Sequence, residues 1–219
     1  MLRLLFEKKG DGMWISHLDL MRVFQRAFRR AGLMVKHSQG FTPRAIVSIA
    51  LPLSVGTESS CELLDVELEG EVPACDVIRA ELNRTMPVGI RVLEVYEAQR
   101  KIKELTHLQA QVVLEYDNGV PETAAEQISA MLTGESLIMV KHSRKGETET
   151  DLLPMLQNFS ITQTDAQTLC LDVRVCAQNP SLNPQLLAQA VEKYLPAVKP
   201  DFAFSRRLEI YDTNGEVFR

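Results

Sequence analysis

Four arginines fall within nine residues near the start of the chain, and they are Arg22, Arg26, Arg29 and Arg30. Spacings of three and four residues place them on one face of an α-helix, where guanidinium groups suit successive phosphates. Asp19 is the one acidic residue in the predicted helix that carries these arginines, residues 17–30. Like charges at such spacings cost roughly a few tenths of a kcal/mol per pair, which an anionic partner would offset. The alternative is a solvated helix face without a ligand.

The loop KHSQGFTPR, which runs from Lys36 to Arg44, is a second candidate binding segment. Lys36 and Arg44 supply positive charge, Gln39 is polar, and Phe41 offers an aromatic ring for stacking on a base. We predict that these four residues contact RNA or another anion. The alternative is an ordered connection in which Phe41 packs into the core.

Two histidines are candidates for catalysis. His17 begins the arginine-bearing helix, and His37 lies in the following loop. Imidazole serves as a general acid or base near neutral pH, so either residue suits metal-independent RNA cleavage. The alternative for His17 is packing beneath a neighbouring strand.

The sequence lacks the common motifs for metal, iron–sulfur cluster and nucleotide binding and for hydrolases. Cys61, Cys75, Cys170 and Cys176 form no CxxC pair, which excludes common zinc-finger and iron–sulfur cluster spacings. There is no GxGxxG, GxxxxGK[ST], GxSxG or HExxH sequence. We therefore predict neither a cofactor nor a metal. No apolar run is long enough to span a membrane, and Leu4–Phe6 is too short for a signal peptide, so we expect a cytoplasmic protein.

Charge is unevenly distributed along the chain. Residues 1–45 carry nine Lys and Arg against three acidic residues, whereas the whole chain has a net charge of −5. A basic N-terminal segment followed by an acidic remainder indicates one localised anion-binding face. Two smaller basic clusters are predicted to be solvated, and they comprise Lys141, His142, Arg144 and Lys145, and Arg206 and Arg207.

The order of predicted elements repeats along the 219 residues. The first hundred residues indicate strand, helix, strand, strand, helix and strand, with Ser16 capping the first helix and Gly32 ending it. The second half indicates the same order, with SLIMVKHSR as its second strand. We predict an α+β fold of tandem ferredoxin-like (βαββαβ) domains with antiparallel sheets. The domains would span 1–99 and 100–219, joined near 97–106.

The segments SHLDLMR, RAFRRAG, HSQGFTPR and PLSVGTES carry a family resemblance. With them, the chain resembles the radical SAM-associated (radical SAM-linked) bacterial proteins, a domain of unknown function. It departs from that family at Arg44 and Ala45, where the family usually has a proline. The resemblance implies a binding module that accompanies a radical SAM enzyme, with any radical chemistry performed by that companion.

Three functions remain open from the sequence. The first is an RNA-binding or substrate-recognition module that acts on tRNA or rRNA with a radical SAM enzyme. The second is an adaptor whose basic helix binds an acidic surface of such an enzyme. The third is a metal-independent endoribonuclease that uses His17 or His37. The oligomeric state and a small-molecule site between domains stay undetermined.

Overall fold

The structure is a computed structural model that describes residues 1–143 and 146–219, with no side-chain description for 141–143. The side chains of the basic cluster predicted at Lys141, His142, Arg144 and Lys145 therefore lie outside the part of the chain that the structure describes. The chain divides into two compact units, Met1–Glu104 with Arg219, and Leu105–Phe218. The four α-helices found in the described part and the antiparallel strand pairs confirm the predicted α+β class.

The first unit is a small antiparallel sheet with two helices. Its strands are β1 (Leu2–Lys8), β2 (Val47–Ile49), β3 (Thr57–Val66) and β4 (Ile90–Glu97), and its helices are α1 (His17–Arg30) and α2 (Cys75–Thr85). β1 pairs with β4 on one side and with β3 on the other, and β2 pairs with β3. The strand order within this unit is thus β4-β1-β3-β2.

Alternation along β1 determines which residues form the core of the first unit. Leu4 and Phe6 are fully buried in the same hydrophobic cluster as Phe24 and Phe28 of α1. The rings of Phe6 and Phe24 meet edge to face with centroids 4.8 Å apart, a favoured aromatic geometry. Packing this apolar stripe against the sheet leaves the opposite side of α1 exposed to solvent.

Local signals determine where α1 begins and ends. The backbone amide of Asp19 donates to the Ser16 hydroxyl at 3.2 Å, so the predicted cap is confirmed. Gly32 has a φ of 71°, a left-handed conformation that glycine adopts without a Cβ penalty and that terminates helices. The arginines therefore lie on a helix with both ends defined by the sequence.

The second unit contains a second antiparallel sheet and a separate hairpin. Its strands are β5 (Leu105–Glu115), β6 (Ile138–Ser143), β7 (Gly146–Asp151), β8 (Leu156–Gln163), β9 (Thr168–Cys176) and β10 (Phe202–Asp212), and its helices are α3 (Ala124–Leu132) and α4 (Gln185–Tyr194). Within this unit the strand order is β10-β5-β9-β8. β6 and β7 form their own two-stranded sheet.

The predicted role of the SLIMVKHSR strand is wrong in one respect. This segment does form β6, but β6 pairs with β7, and the position beside β9 is taken by β8. β7 has the sequence GETETD, whose lack of apolar residues gave no strand signal. The tandem ferredoxin-like arrangement itself stays a prediction.

The basic cluster predicted at Arg206 and Arg207 is less solvated than expected. Arg207 is buried, and Arg206 is half-buried with its guanidinium carbon 4.8 Å from the Phe204 ring centroid. Alternation along β10 turns these neighbouring side chains to opposite faces of the sheet. Among the described residues, no helix is both long and apolar enough to cross a membrane.

Candidate nucleic-acid interface

The predicted arginine face of α1 is the outer face of the helix. Leu20, Phe24, Ala27 and Phe28 are buried on the inner face. The outer face carries four exposed arginines, which we call the arginine row and define as Arg22, Arg26, Arg29 and Arg30. The helical period thus separates an apolar inner stripe from a cationic outer one.

One carboxylate accompanies the arginine row. Asp19 accepts a hydrogen bond from Arg22 at 2.8 Å and another from the Ser16 hydroxyl at 2.7 Å. The Ser16 hydrogen bond, followed by the Arg22 hydrogen bond and the charges of Arg22 and Arg26, lowers the pKa of Asp19. Asp19 is therefore ionised at neutral pH and neutralises part of the charge at the start of the row.

The rest of the row is not paired with acidic groups. Among the described residues, no carboxylate forms an ion pair with Arg26, Arg29 or Arg30. The side chains of Arg22, Gln25, Arg26 and Arg29 surround a shallow depression of about 290 Å³. Three arginines that line one depression suit a phosphate or another oxyanion.

The KHSQGFTPR loop is a short hairpin, which we call the basic hairpin and define as residues 36–46. The Ser38 amide donates to the Arg44 carbonyl at 2.8 Å, and the Arg44 amide donates to the Ser38 hydroxyl at 3.1 Å. At its base, the Ile46 amide donates to the Lys36 carbonyl at 2.8 Å. These bonds fix the hairpin tip relative to its base.

The tip of the basic hairpin presents an uncovered aromatic ring. Phe41 is fully exposed, so the alternative in which it packs into the core is wrong. Gln39 and Arg44 are also exposed. Gly40 has a φ of 134°, which a residue with a Cβ rarely adopts, and it therefore permits this tight tip.

Lys36 differs from the other predicted cations because it has an acidic partner. Its Nζ lies 3.0 Å from Oε2 of Glu67, and its backbone amide donates to the Glu67 carbonyl at 2.9 Å. Both side chains are partly solvated, so this ion pair adds little stability. Its main effect is to reduce the positive charge that the base of the hairpin offers to a ligand.

A groove of about 810 Å³ lies between α1 and the basic hairpin. Its lining comprises Met21, Gln25, Phe28, Arg29, Gly32, Leu33, Met34, Val35, His37, Pro43, Arg44, Ala45, Val47 and Glu69. Gln25 and Arg29 also line the arginine depression, so the depression and the groove form one continuous surface. The structure therefore brings Arg29 of the arginine row together with His37 and Arg44 in one groove.

The two catalytic candidates occupy different places. His37 is exposed and lines the groove, whereas His17 is half-buried at the first position of α1 and is not part of the groove lining. Helical rise alone separates residues 17 and 29 by about 18 Å along the axis. The structure thus groups His37, but not His17, with the cations that line the groove.

Sequence reasoning missed the floor of the groove and one polar residue beside the arginines. Gln25 lies three residues from Arg22 and four from Arg29, a spacing that was available as a signal. The apolar floor, which includes Leu33, Val35 and Val47, carries no such signal because it depends on how the chain returns after α1. Within the described residues, no group of three or more His, Cys, Asp or Glu could hold a metal ion.

Residues 1–184 match the family described as an uncharacterized protein conserved in bacteria, DUF2344. Because this match covers most of the chain, the protein belongs to that family. No curated protein matches the sequence.

Three solved structures are similar to this chain at 10% sequence identity. A chain in the crystal structure of a Cbf5-Nop10-Gar1 complex has a TM-score of 0.52, with 95% of this chain and 48% of that chain covered. A chain in the structure of an H/ACA RNP bound to a substrate RNA containing 2′-deoxyuridine has a TM-score of 0.48, with 94% and 46% covered. A chain of the archaeal box H/ACA sRNP Nop10-Cbf5 complex has a TM-score of 0.45, with the same coverage. This protein thus spans about half the length of each of these three solved chains.

Proposed function

We propose that this member of the DUF2344 family is an RNA-binding accessory protein whose arginine row holds the phosphates of tRNA or rRNA. The observation that carries the proposal is the outer face of α1, where four exposed guanidinium groups are accompanied by the single carboxylate of Asp19. Guanidinium groups pair with phosphate oxygens through two parallel hydrogen bonds, which makes arginine well suited to a nucleic-acid backbone.

The charge distribution supports binding on a restricted surface. Residues 1–45 are strongly basic, whereas the rest of the chain is acidic enough to give a net charge of −5. Acidic surface repels a polyanion, so RNA would be held at the arginine row and would not be wrapped around the protein. We expect this binding to occur in the cytoplasm.

We also propose that each of the two units is a ferredoxin-like domain. The strand orders β4-β1-β3-β2 and β10-β5-β9-β8 support two βαββαβ domains, with β6 and β7 inserted in the second. We propose that these domains extend over 1–99 and 100–219. The Cbf5-Nop10-Gar1 neighbour, at 10% identity, supports the fold alone, so the RNA proposal depends on the arginine row.

A radical SAM enzyme is the proposed protein partner, and this partner comes from the sequence resemblance alone. In that arrangement the companion enzyme performs the chemistry and this chain presents the RNA. The adaptor alternative assigns the arginine row to an acidic surface of the same enzyme, where complementary charge would speed association.

The test is binding of the purified protein to a mixed pool of tRNA and rRNA fragments at about 50 and 200 mM salt, because phosphate contacts make affinity strongly salt-dependent in that range. The test variant is Arg26→Glu/Arg30→Glu on the exposed face of α1. The matched control is Arg79→Glu/Arg84→Glu, which makes the same charge change on exposed positions of α2. Circular dichroism melts establish that both variants fold.

We expect salt-sensitive binding that the α1 variant loses by at least about tenfold and the α2 control retains. Equal losses in both variants would indicate a general charge effect and contradict a specific role for the arginine row. No RNA binding by the unmodified protein at low salt would reject the proposal. In that case, the protein should form a salt-sensitive complex with an acidic protein, and the α1 variant should not form it. That result would identify the adaptor function.

A further inference from the structure

The groove between α1 and the basic hairpin has properties that phosphate binding alone does not explain. Its volume of about 810 Å³ lies within the range of roughly 300–1,000 Å³ typical of ligand pockets. Much of its lining is apolar, including Met21, Leu33, Val35 and Val47. A site for phosphates needs only charge and hydrogen-bond donors, whereas this groove also offers apolar surface to something planar or apolar.

The polar groups around that apolar lining are mainly cationic. The charged lining residues are Arg29 of α1, Arg44 of the basic hairpin and one carboxylate, Glu69, so cations outnumber anions by two to one. Neither Arg29 nor Arg44 forms an ion pair within the described part of the chain. This charge favours a ligand that combines an apolar body with negative charge, which is the chemistry of a nucleotide.

Phe41 adds a stacking surface at the tip of the basic hairpin, whose residues His37, Pro43 and Arg44 line the groove although Phe41 itself does not. Its ring is fully exposed, although hydrogen bonds between Ser38 and Arg44 hold the hairpin in place. Exposing an aromatic ring on an ordered hairpin forgoes the free energy that its burial in the core would provide. A base stacked on the ring would recover part of that free energy.

From these features, and resting on the proposed function, we infer that the groove and Phe41 take the unpaired bases of single-stranded RNA. In an A-form duplex the bases are stacked on one another, so their faces cannot reach an apolar groove or an aromatic ring. An unpaired nucleotide places its base there while its phosphate lies against Arg29 and the adjoining arginine depression. The substrate class is therefore a single-stranded region, such as a loop or an end, and not a helical stem.

The experiment compares one short RNA oligomer of mixed sequence with the same oligomer annealed to its complement, by fluorescence anisotropy at fixed salt. The first variant is Phe41→Ala, which cannot disturb the core because the ring is fully exposed. Its control is Val88→Ala, which removes an apolar side chain that is 90% exposed elsewhere in the same unit. A second variant, Ala45→Trp, fills the groove without changing charge.

We expect the unmodified protein to bind the single strand more tightly than the duplex. Phe41→Ala should weaken single-strand binding by about tenfold, as loss of one stacked base does, and leave duplex binding within about twofold. Ala45→Trp should have the same selective effect, and Val88→Ala should have none. Arg26→Glu/Arg30→Glu, in contrast, should weaken binding of both forms.

The outcomes separate this inference from the proposed function. Equal affinity for both RNA forms, with no effect of Phe41→Ala or Ala45→Trp, would overturn the inference while leaving phosphate binding by the arginine row intact. No binding of either RNA would overturn the inference together with the proposed function. Binding of a protein partner through Phe41, without any RNA affinity, would also reject both.

Discussion

At the scale of single residues, the most consequential pair for stability is buried on the opposite side of β1 from the aromatic core. Arg3 Nε donates to Asp65 Oδ1 at 2.7 Å, and Arg3 Nη2 donates to Asp65 Oδ2 at 3.0 Å. The two side chains are 1% and 8% exposed. A buried ion pair of this kind adds little net stability, but removing one partner while the other stays buried is costly.

We therefore predict that Asp65→Asn lowers the free energy of unfolding by about 3–5 kcal/mol, because it leaves the Arg3 guanidinium buried without its carboxylate. Urea unfolding followed by circular dichroism measures the change. The matched control is Asp76→Asn, since Asp76 also pairs with an arginine but its side chain is 89% exposed. The control should lose about 1 kcal/mol or less. Equal losses in the two variants would show that burial is not the source of the effect.

At the scale of elements, α1 connects the core of the first unit to the proposed interface. Its inner residues pack on the sheet, and its outer residues form the arginine row, so the rigidity of the helix determines the spacing of the guanidinium groups. The Ser16 hydroxyl supports its N-terminus by accepting from the Asp19 amide. Fraying of the first turn would move Arg22, whose partner Asp19 lies in that turn.

Ser16→Ala should lower the free energy of unfolding by about 1 kcal/mol, because it leaves an amide at the start of α1 without its hydroxyl acceptor. Thermal or urea unfolding measures this loss. Ser16→Thr, which keeps a capping hydroxyl, should restore most of it. Ser48→Ala on the exposed side of β2 is the control and should change stability by about 0.5 kcal/mol or less. A Thr variant as unstable as the Ala variant would argue against capping.

The sequence predicted α1 well because its signals are local. The Ser16 cap and Gly32 both act within one helix length, and the structure confirms both of them. The same period identified the outward direction of the arginine row. Patterns of three to four residues are therefore enough to describe this helix and its charged face.

Features that depend on contacts between distant segments escaped prediction. The position of Phe41 was open from sequence, because an aromatic residue in a loop suits a core contact and an exposed tip equally. The strand β7 was not predicted because its polar sequence has no strand pattern of its own. The groove floor brings α1 together with residues 33–47 and Glu69, and no spacing in the sequence encodes that approach.

At the scale of the whole molecule, the question is how far RNA contact extends beyond α1. The chain carries a net charge of −5 even though residues 1–45 are basic, so most of its surface disfavours a polyanion. Within the described residues, four cations along the proposed track form no ion pair, namely Arg26, Arg29, Arg30 and Arg44, since Arg22 pairs with Asp19 and Lys36 pairs with Glu67. A compact interface of this kind should release few counterions when RNA binds. The slope of log affinity against log salt concentration measures how many are released.

Four phosphate contacts on single-stranded RNA predict a slope of about −2.8 in a plot of log affinity against log salt concentration, at about −0.7 per contact. Neutralising two arginines with Arg26→Gln/Arg30→Gln should reduce the magnitude of that slope by about 1.4. Arg79→Gln/Arg84→Gln on α2 should leave it unchanged. Anisotropy titrations at several salt concentrations give all three slopes. A slope twice as steep would mean that RNA contacts cations well outside α1 and the basic hairpin, and a flat plot would mean that phosphates are not contacted at all.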